Sequence, residues 1–284
     1  MQLRKVTHTL KGVRATDGAG VSLVRVLGAN TTDTYDPFLM LDSFDSTDPE
    51  DYRAGFPMHP HRGIETVTFI ARGAMVHEDR LGTKATVTDG EAQWLTAGSG
   101  AFHSEMPQAT ERLLGVQLWL NLPARDKLTA PPSYHGITRD EIREFPFEGG
   151  TLRLVAGTYG DAHGYQGKYL PLDYCDIHLD PHASIKLDVP GARSVMAFTL
   201  LGGAAISGHK VAEKNAVKLG DGDTVTIEAL DEPAEVLFMS SVRLDEPVAW
   251  YGPIVMNTKE ELFDAFGELE DGAFVKQAAE YAGE

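Results

Sequence analysis

Gly55-Phe56-Pro57-Met58-His59-Pro60-His61-Arg62-Gly63-Ile64-Glu65-Thr66-Val67-Thr68-Phe69-Ile70 is glycine-bounded and rich in β-branched and aromatic residues. About forty residues beyond its histidines stands Ala101-Phe102-His103-Ser104-Glu105-Met106. Such composition reads as strands rather than helices. Alternate side chains of a strand share a face, so His59 can converge with His61, and His103 with Glu105. A lone histidine is more often a core or surface residue than a ligand. Two i, i+2 pairs on paired or opposed strands of one barrel point instead to a divalent transition-metal site of three imidazoles and a carboxylate. Continuing the strand from His59 places Glu65, Val67 and Phe69 on the histidine face. Glu65 is therefore a second carboxylate that parity alone does not separate from Glu105.

Outward from this stretch the same rhythm continues. Asp17-Gly18, Asp89-Gly90, Pro190-Gly191, Gly202-Gly203 and Asp221-Gly222 divide short apolar runs at close spacing, which predicts an all-β chain of hairpins. Strands are expected over 21–27, a short 37–41, and 113–122, the last buried on both faces. In the second half they are expected over 151–156, 174–179, 184–189, 194–201, 216–219, 224–229 and 234–242. Gly98 and Gly100, on the approach to His103, are read as positions needing positive φ or close packing. The proline-rich 123–135 marks a boundary, giving a metal-binding barrel over 1–135 and a second barrel over 136–284 that ends in a short helix. Thr258 and Glu261 form a capping box for that helix, Leu262, Phe263, Ala265, Phe266 and Leu269 its apolar stripe, and Gly272 its end. The second half has no His-x-His or His-x-Glu, and His163, His178, His182 and His209 share no ligand spacing, so no second metal is expected.

The chain has 284 residues, with 25 Lys plus Arg against 42 Asp plus Glu, a formal charge of −17. That suits two domains and argues against direct nucleic-acid binding, which needs a basic face. The single cysteine, Cys175, permits no intrachain disulfide and is read as a buried, inert thiol. No run approaches the roughly 20 apolar residues of a membrane span, and residues 1–6 show no apolar leader. A soluble, cytoplasmic monomer without membrane contact is expected.

His59-Pro60-His61-Arg62-Gly63-Ile64-Glu65-Thr66-Val67-Thr68, His77-Glu78-Asp79, and Gln93-Trp94-Leu95-Thr96-Ala97-Gly98-Ser99-Gly100-Ala101-Phe102-His103-Ser104-Glu105-Met106-Pro107 together resemble the pirin family of the cupin superfamily. Leu118-Trp119-Leu120-Asn121-Leu122-Pro123 and Tyr251-Gly252-Pro253-Ile254-Val255-Met256-Asn257-Thr258-Lys259-Glu260-Glu261 fit as well, so the resemblance spans nearly the whole chain. It implies two tandem cupin (jelly-roll-like) barrels, a bicupin, with metal in the first only. It places the ligands on His59, His61, His103 and Glu105, and leaves Glu65 as a supporting or pocket residue.

Three imidazoles and one carboxylate leave positions open on a six-coordinate ion. Iron(II) is the first expectation, with Mn, Ni, Co, Cu and Zn also compatible. The resemblance implies a quercetin 2,3-dioxygenase-type oxidoreductase, in which a flavonol-like aromatic substrate meets O₂ and Glu105 is ligand and base. The alternative is a non-enzymatic, iron-binding regulatory protein whose partner is a transcription factor or a metabolic enzyme. Phe56, Val67, Phe69 and Trp94 are candidate substrate walls. His77-Glu78-Asp79 is read as a hairpin cap in preference to a support for the site. Arg62 is read as either a guide for Glu65 or Glu105 or a surface arginine.

Overall fold

The computed structural model describes residues 2–279. Its chain divides into two compact units that do not follow a single cut. One comprises Arg14–Asp33, Phe38–Thr138 and everything from Leu244 onward; the other comprises the chain up to Val13, Thr34–Pro37 and Arg139–Arg243. The mid-chain change of unit falls between Thr138 and Arg139, and each unit also takes in segments from elsewhere in the chain. Val6–Lys11, which the sequence reading left unassigned, pairs with Asn215–Leu219 of the later unit. The C-terminal helix, expected with the second barrel, belongs to the earlier unit, because its apolar stripe finds its partners there.

The strands of the first half are β1 (Val6–Lys11), β2 (Val13–Asp17), β3 (Val21–Leu27), β4 (Phe38–Ser46), β5 (Phe56–His61), β6 (Ile64–Arg72), β7 (Met75–Asp79), β8 (Lys84–Val87), β9 (Glu91–Thr96), β10 (Ala101–Pro107), β11 (Leu113–Asn121) and β12 (Ser133–Ile137). In the earlier unit a seven-stranded antiparallel sheet runs β12-β9-β6-β11-β4-β3-β2, and a four-stranded one runs β5-β10-β7-β8. Side chains of both sheets meet in one core that includes Leu23, Phe44, Ile70, Met75 and Val87. β11 lies between β4 and β6, and all nine of its residues are buried, as its near-continuous apolar run predicts. β4 runs beyond the expected 37–41 because Asp42 and Ser43, though polar, are buried in the ladder to β11.

The later unit repeats this plan. Its seven-stranded sheet runs Val6–Lys11, Asn215–Leu219, Ser194–Leu201, Ala234–Ser241, Leu172–Leu179, Gly150–Ala156, Arg143–Phe147, and its four-stranded sheet Ser184–Asp188, Thr224–Ala229, Ala204–Ile206, His209–Val211. An apolar core joins the two sheets. The paired-barrel, all-β architecture is thus the expected one. Cys175 is buried in this core, and burial pushes its thiol pKa far up.

The helix Lys259–Glu270 begins with both halves of the capping box between Thr258 and Glu261. Leu262, Ala265, Phe266 and Leu269 pack with Ile254, Met256, Phe102 and Phe274. Phe263, assigned to the same stripe, is 79% exposed. No helix among the described residues is long and apolar enough to cross a membrane.

Candidate metal centre

β5 and β10 pair antiparallel with His59 opposite His103. The ring centroids of His59, His61 and His103 stand 4.7, 4.5 and 5.0 Å apart pairwise, and one ring nitrogen from each lies within 4.8 Å of the others. His61 and His103 are buried, whereas His59 is half-buried.

Proton bookkeeping shows what this trio is built to hold. His59 Nδ1 donates to the Pro57 carbonyl at 2.8 Å, and His61 Nδ1 to the Pro253 carbonyl at 2.9 Å. A carbonyl oxygen only accepts, so both neutral rings present a bare Nε2. These two Nε2 atoms lie 3.0 Å apart. Facing lone pairs at that distance repel unless a cation lies between them. His103 is fully buried, and neither of its ring nitrogens has a hydrogen-bond partner. Burial, with His59 adding, pushes the His61 pKa down to about 3, and burial with the neighbouring rings takes His103 well below its usual value. Neither His61 nor His103 therefore carries that cation as a proton at neutral pH. The trio fits a divalent transition-metal ion, with backbone carbonyls fixing the tautomers of His59 and His61.

Glu105, two residues beyond His103, is also buried. The β5–β10 ladder shifts register between these residues, a kind of irregularity that re-aims side chains. The Glu105 carboxylate stands outside the imidazole cluster; its Oε1 accepts from Gln93 Nε2 at 2.6 Å and Thr68 Oγ1 at 2.9 Å. Gln93 Oε1 in turn accepts from Tyr134 at 3.2 Å. Tyr134 stacks on His77, whose centroid is 5.4 Å from that of His103.

The hairpin-cap reading of His77-Glu78-Asp79 holds for Asp79, whose Oδ1 accepts from the Leu81 and Thr83 amides of the β7–β8 turn at 2.9 Å each, but the segment supports the site as well. His77 and Asp79 are buried, 3.0 Å apart, and face the site. Burial works against the Asp79 charge, but donors from His77, Thr83 and Leu81 hold its pKa below the usual range. Sequence reasoning missed Thr68, Gln93 and Tyr134 altogether. The one available signal was that His77 and Asp79 form a third i, i+2 pair of titratable groups.

Glu65 lies elsewhere. β5 and β6 belong to different sheets, and the turn at Gly63 between them (φ +78°) resets the parity that would have put Glu65 with the histidines. Thr68, on the opposite face of β6, is the residue that reaches Glu105. Glu65 instead accepts from Thr96 at 2.6 Å. Burial pushes its pKa up to about 7, against the opposing effect of Thr96. A folded-state pKa above the unfolded value contributes stability at low pH that is lost as pH rises. Wild-type stability relative to Glu65→Gln should therefore fall between about pH 4.5 and pH 7, by on the order of 3 kcal/mol. Urea titrations of both proteins across that range check this.

Residues 61–63 are fastened to the C-terminal segment. Arg62, 1% exposed, donates to the carbonyls of Ser99 and Phe274, pairs with Glu268 at 2.7 Å, and lies over the Phe274 ring. It guides neither carboxylate and is no surface residue; its charge is spent on the C-terminal segment. Lys127 Nζ, buried, bridges the carbonyls of Gly63 at 2.7 Å and Val255 at 3.2 Å and the Asn121 amide oxygen at 2.5 Å. A Cβ on Gly63 would stand 1.8 Å from the Val255 carbonyl oxygen. Gly63→Ala should thus destabilise the protein by about 3 kcal/mol or more, readable as a lowered denaturant midpoint.

A cavity of about 600 Å³ opens beside His59 and His61. Phe44, Phe56, Trp119 and Trp250 give it aromatic walls, and Asp17, Arg25, Asp42 and Gln117 a polar side. Of the four expected wall residues only Phe56 lines it. Val67, Phe69 and Trp94 do not: β6 does not continue the parity of β5, and Trp94 lies on β9, paired with Val67.

Comparison with known proteins adds the family. Residues 20–120 match the model of the pirin family, and residues 174–275 that of the pirin C-terminal cupin domain. The chain belongs to the pirin family. It is 40% identical over 278 residues to a pirin-like protein of Caulobacter vibrioides, covering 96% of this chain and all of that one. A Pseudomonas aeruginosa protein, provisionally named quercetin 2,3-dioxygenase, is 38% identical over 95% of this chain and 97% of its own. The crystal structure of a quercetin 2,3-dioxygenase from Acinetobacter baumannii superposes with a TM-score of 0.88 at 30% identity, over 97% of this chain and all of that one. Both units of this pirin are therefore cupin barrels.

The later cupin barrel of this pirin holds a second group of metal-capable side chains, Asp176, His178 and Glu235. Surveying histidines alone overlooked it, because two of its three members are carboxylates. Asp176 Oδ2 accepts from Arg153 at 3.0 Å and from His178 Nε2 at 2.9 Å. The Asp176 hydrogen bond is the main cause of a raised His178 pKa. This group carries its own cations and reads as an internal ion-pair cluster.

Proposed function

We propose that this pirin is a metal-dependent dioxygenase acting on a flavonol such as quercetin, with iron(II) held by His59, His61, His103 and Glu105. The observation that carries the reading is the convergence of three imidazoles, two of them buried, on an aromatic-walled cavity. The full-length likeness to quercetin 2,3-dioxygenases supports the same chemistry. When bound, the metal supplies a Lewis acid with positions open to the adjacent oxygens of a flavonol and to O₂.

The chain's own residues supply the rest. The aromatic walls hold a flat ring system and exclude water from it. With Oε1 engaged by Gln93 and Thr68, Glu105 Oε2 is the atom left to ligate and to take the flavonol hydroxyl proton. Loss of that proton makes the ring electron-rich enough for O₂ to add at C2 and C4. The C2–C3 and C3–C4 bonds and the O–O bond break, and C3 leaves with its own oxygen as carbon monoxide. Both atoms of O₂ stay in the depside product, and the proton on Glu105 returns to the product carboxylate. The Tyr134–Gln93 contact limits the motion of Gln93 and so of the carboxylate it holds. A cytoplasmic setting accords with the single buried thiol.

The test is anaerobic reconstitution with iron(II), then O₂ uptake and quercetin absorbance followed in one cuvette. Coupled loss of both, absent in His59→Ala, is the expected result. Fully loaded protein that consumes neither would overturn the proposal and turn the search to protein partners.

A further inference from the structure

Two buried polar atoms on the cavity wall have no partner. Gln117 and Trp119 sit two apart on β11, and both line the cavity. They are 5% and 7% exposed. Neither Gln117 Oε1 nor Trp119 Nε1 makes a hydrogen bond. Trp119 packs edge-on against His61 with centroids 4.8 Å apart, and 5.6 Å from Trp250. An orphaned buried acceptor and an orphaned buried donor, two residues apart on one strand, are costly to a fold. Retained on the wall of a ligand cavity, the pair is explained by a ligand that satisfies both.

We infer that Gln117 and Trp119 are specificity residues that read a ring hydroxyl of the substrate other than the oxygens placed at the metal. The hydroxyl donates to Gln117 Oε1 and accepts from Trp119 Nε1. The neighbouring wall sets the charge of what can enter. Asp42, opposite Gln117 in the ladder, takes both its bonds from Arg25 at 2.9 and 2.6 Å, and Arg25 also reaches Asp17 at 2.6 Å. Two carboxylates against one guanidinium leave that side net negative. At that side, away from the metal's own positive charge, a neutral hydroxyl is favoured over an anionic group, which suits the polyhydroxylated aromatic of the proposed function. The inference rests on the cavity's being the substrate site.

Binding without O₂ separates this inference from the dioxygenase reading. The iron(II)-loaded protein is titrated anaerobically by calorimetry with quercetin and with 3-hydroxyflavone, which keeps the metal-facing oxygens and lacks the other hydroxyls. Wild type should favour quercetin by at least about tenfold, and Gln117→Leu should weaken quercetin alone, by about 10- to 100-fold. The same variant should unfold at an equal or higher denaturant concentration, because it removes an unsatisfied buried group. A structural role for Gln117 predicts the reverse: lowered stability with the preference intact. Equal binding of the two probes by wild type, or a preference untouched in Gln117→Leu, overturns this inference and leaves the dioxygenase reading standing. If neither probe binds, both fall.

Discussion

His103→Ala is expected to abolish stoichiometric metal binding while leaving the later barrel folded. His103 is the only member of the trio with both ring nitrogens buried and unpartnered, so its imidazole has no role in the hydrogen-bond framework that the substitution would disrupt. Its removal leaves the nitrogens of His59 and His61 with the Glu105 carboxylate, which stands outside the imidazole cluster and is held by Gln93 and Thr68, so the donor opposite His59 is lost with nothing placed to replace it. Metal added at a thousandfold excess over its dissociation constant should stabilise wild type by about 4 kcal/mol and the variant by nothing. Elemental analysis of the purified variant, with urea titrations with and without iron(II), reads both effects. Unchanged metal content would move the site away from β5 and β10.

Glu105→Gln is expected to lower turnover by about 10²- to 10⁴-fold, the range associated with a positioned acid or base. The amide keeps the size of the side chain and can still accept from Gln93 and Thr68. It loses the negative charge and the ability to take a proton. Glu65→Gln should change turnover by less than about threefold: its carboxylate bonds to Thr96, stands apart from the trio, and is already half protonated near its pKa of about 7. Steady-state rates with quercetin for both variants decide the assignment. The reverse order would restore Glu65 as the working carboxylate.

The contrast between these carboxylates shows where a linear reading stops. Local patterns were legible: the convergence of His59 with His61, the capping box at Thr258 and Glu261, and the buried run of β11 all survive in the structure, whereas a register shift separates Glu105 from His103. Each depends on a strand or helix period of a few residues. The role of Glu65 depended on β5 and β6 being one strand, and a single left-handed turn at Gly63 moves them into different sheets. The C-terminal contribution was illegible for another reason. Pro253, Glu268 and Phe274 act on His61 and Arg62 across roughly two hundred residues, largely through carbonyl oxygens that carry no side-chain signature. Gln93 and Tyr134 were missed because a neutral amide and a phenol carry no ligand chemistry of their own; only the register of β9 with β6 and β12 brings them to Glu105.

X-ray absorption at the metal edge of the iron(II)-reconstituted protein tests the central claim most directly. The account predicts about one iron per chain, in a shell of nitrogen and oxygen donors containing the three imidazoles of His59, His61 and His103. A shell of oxygen donors alone, or a spectrum unchanged in His103→Ala, would contradict it.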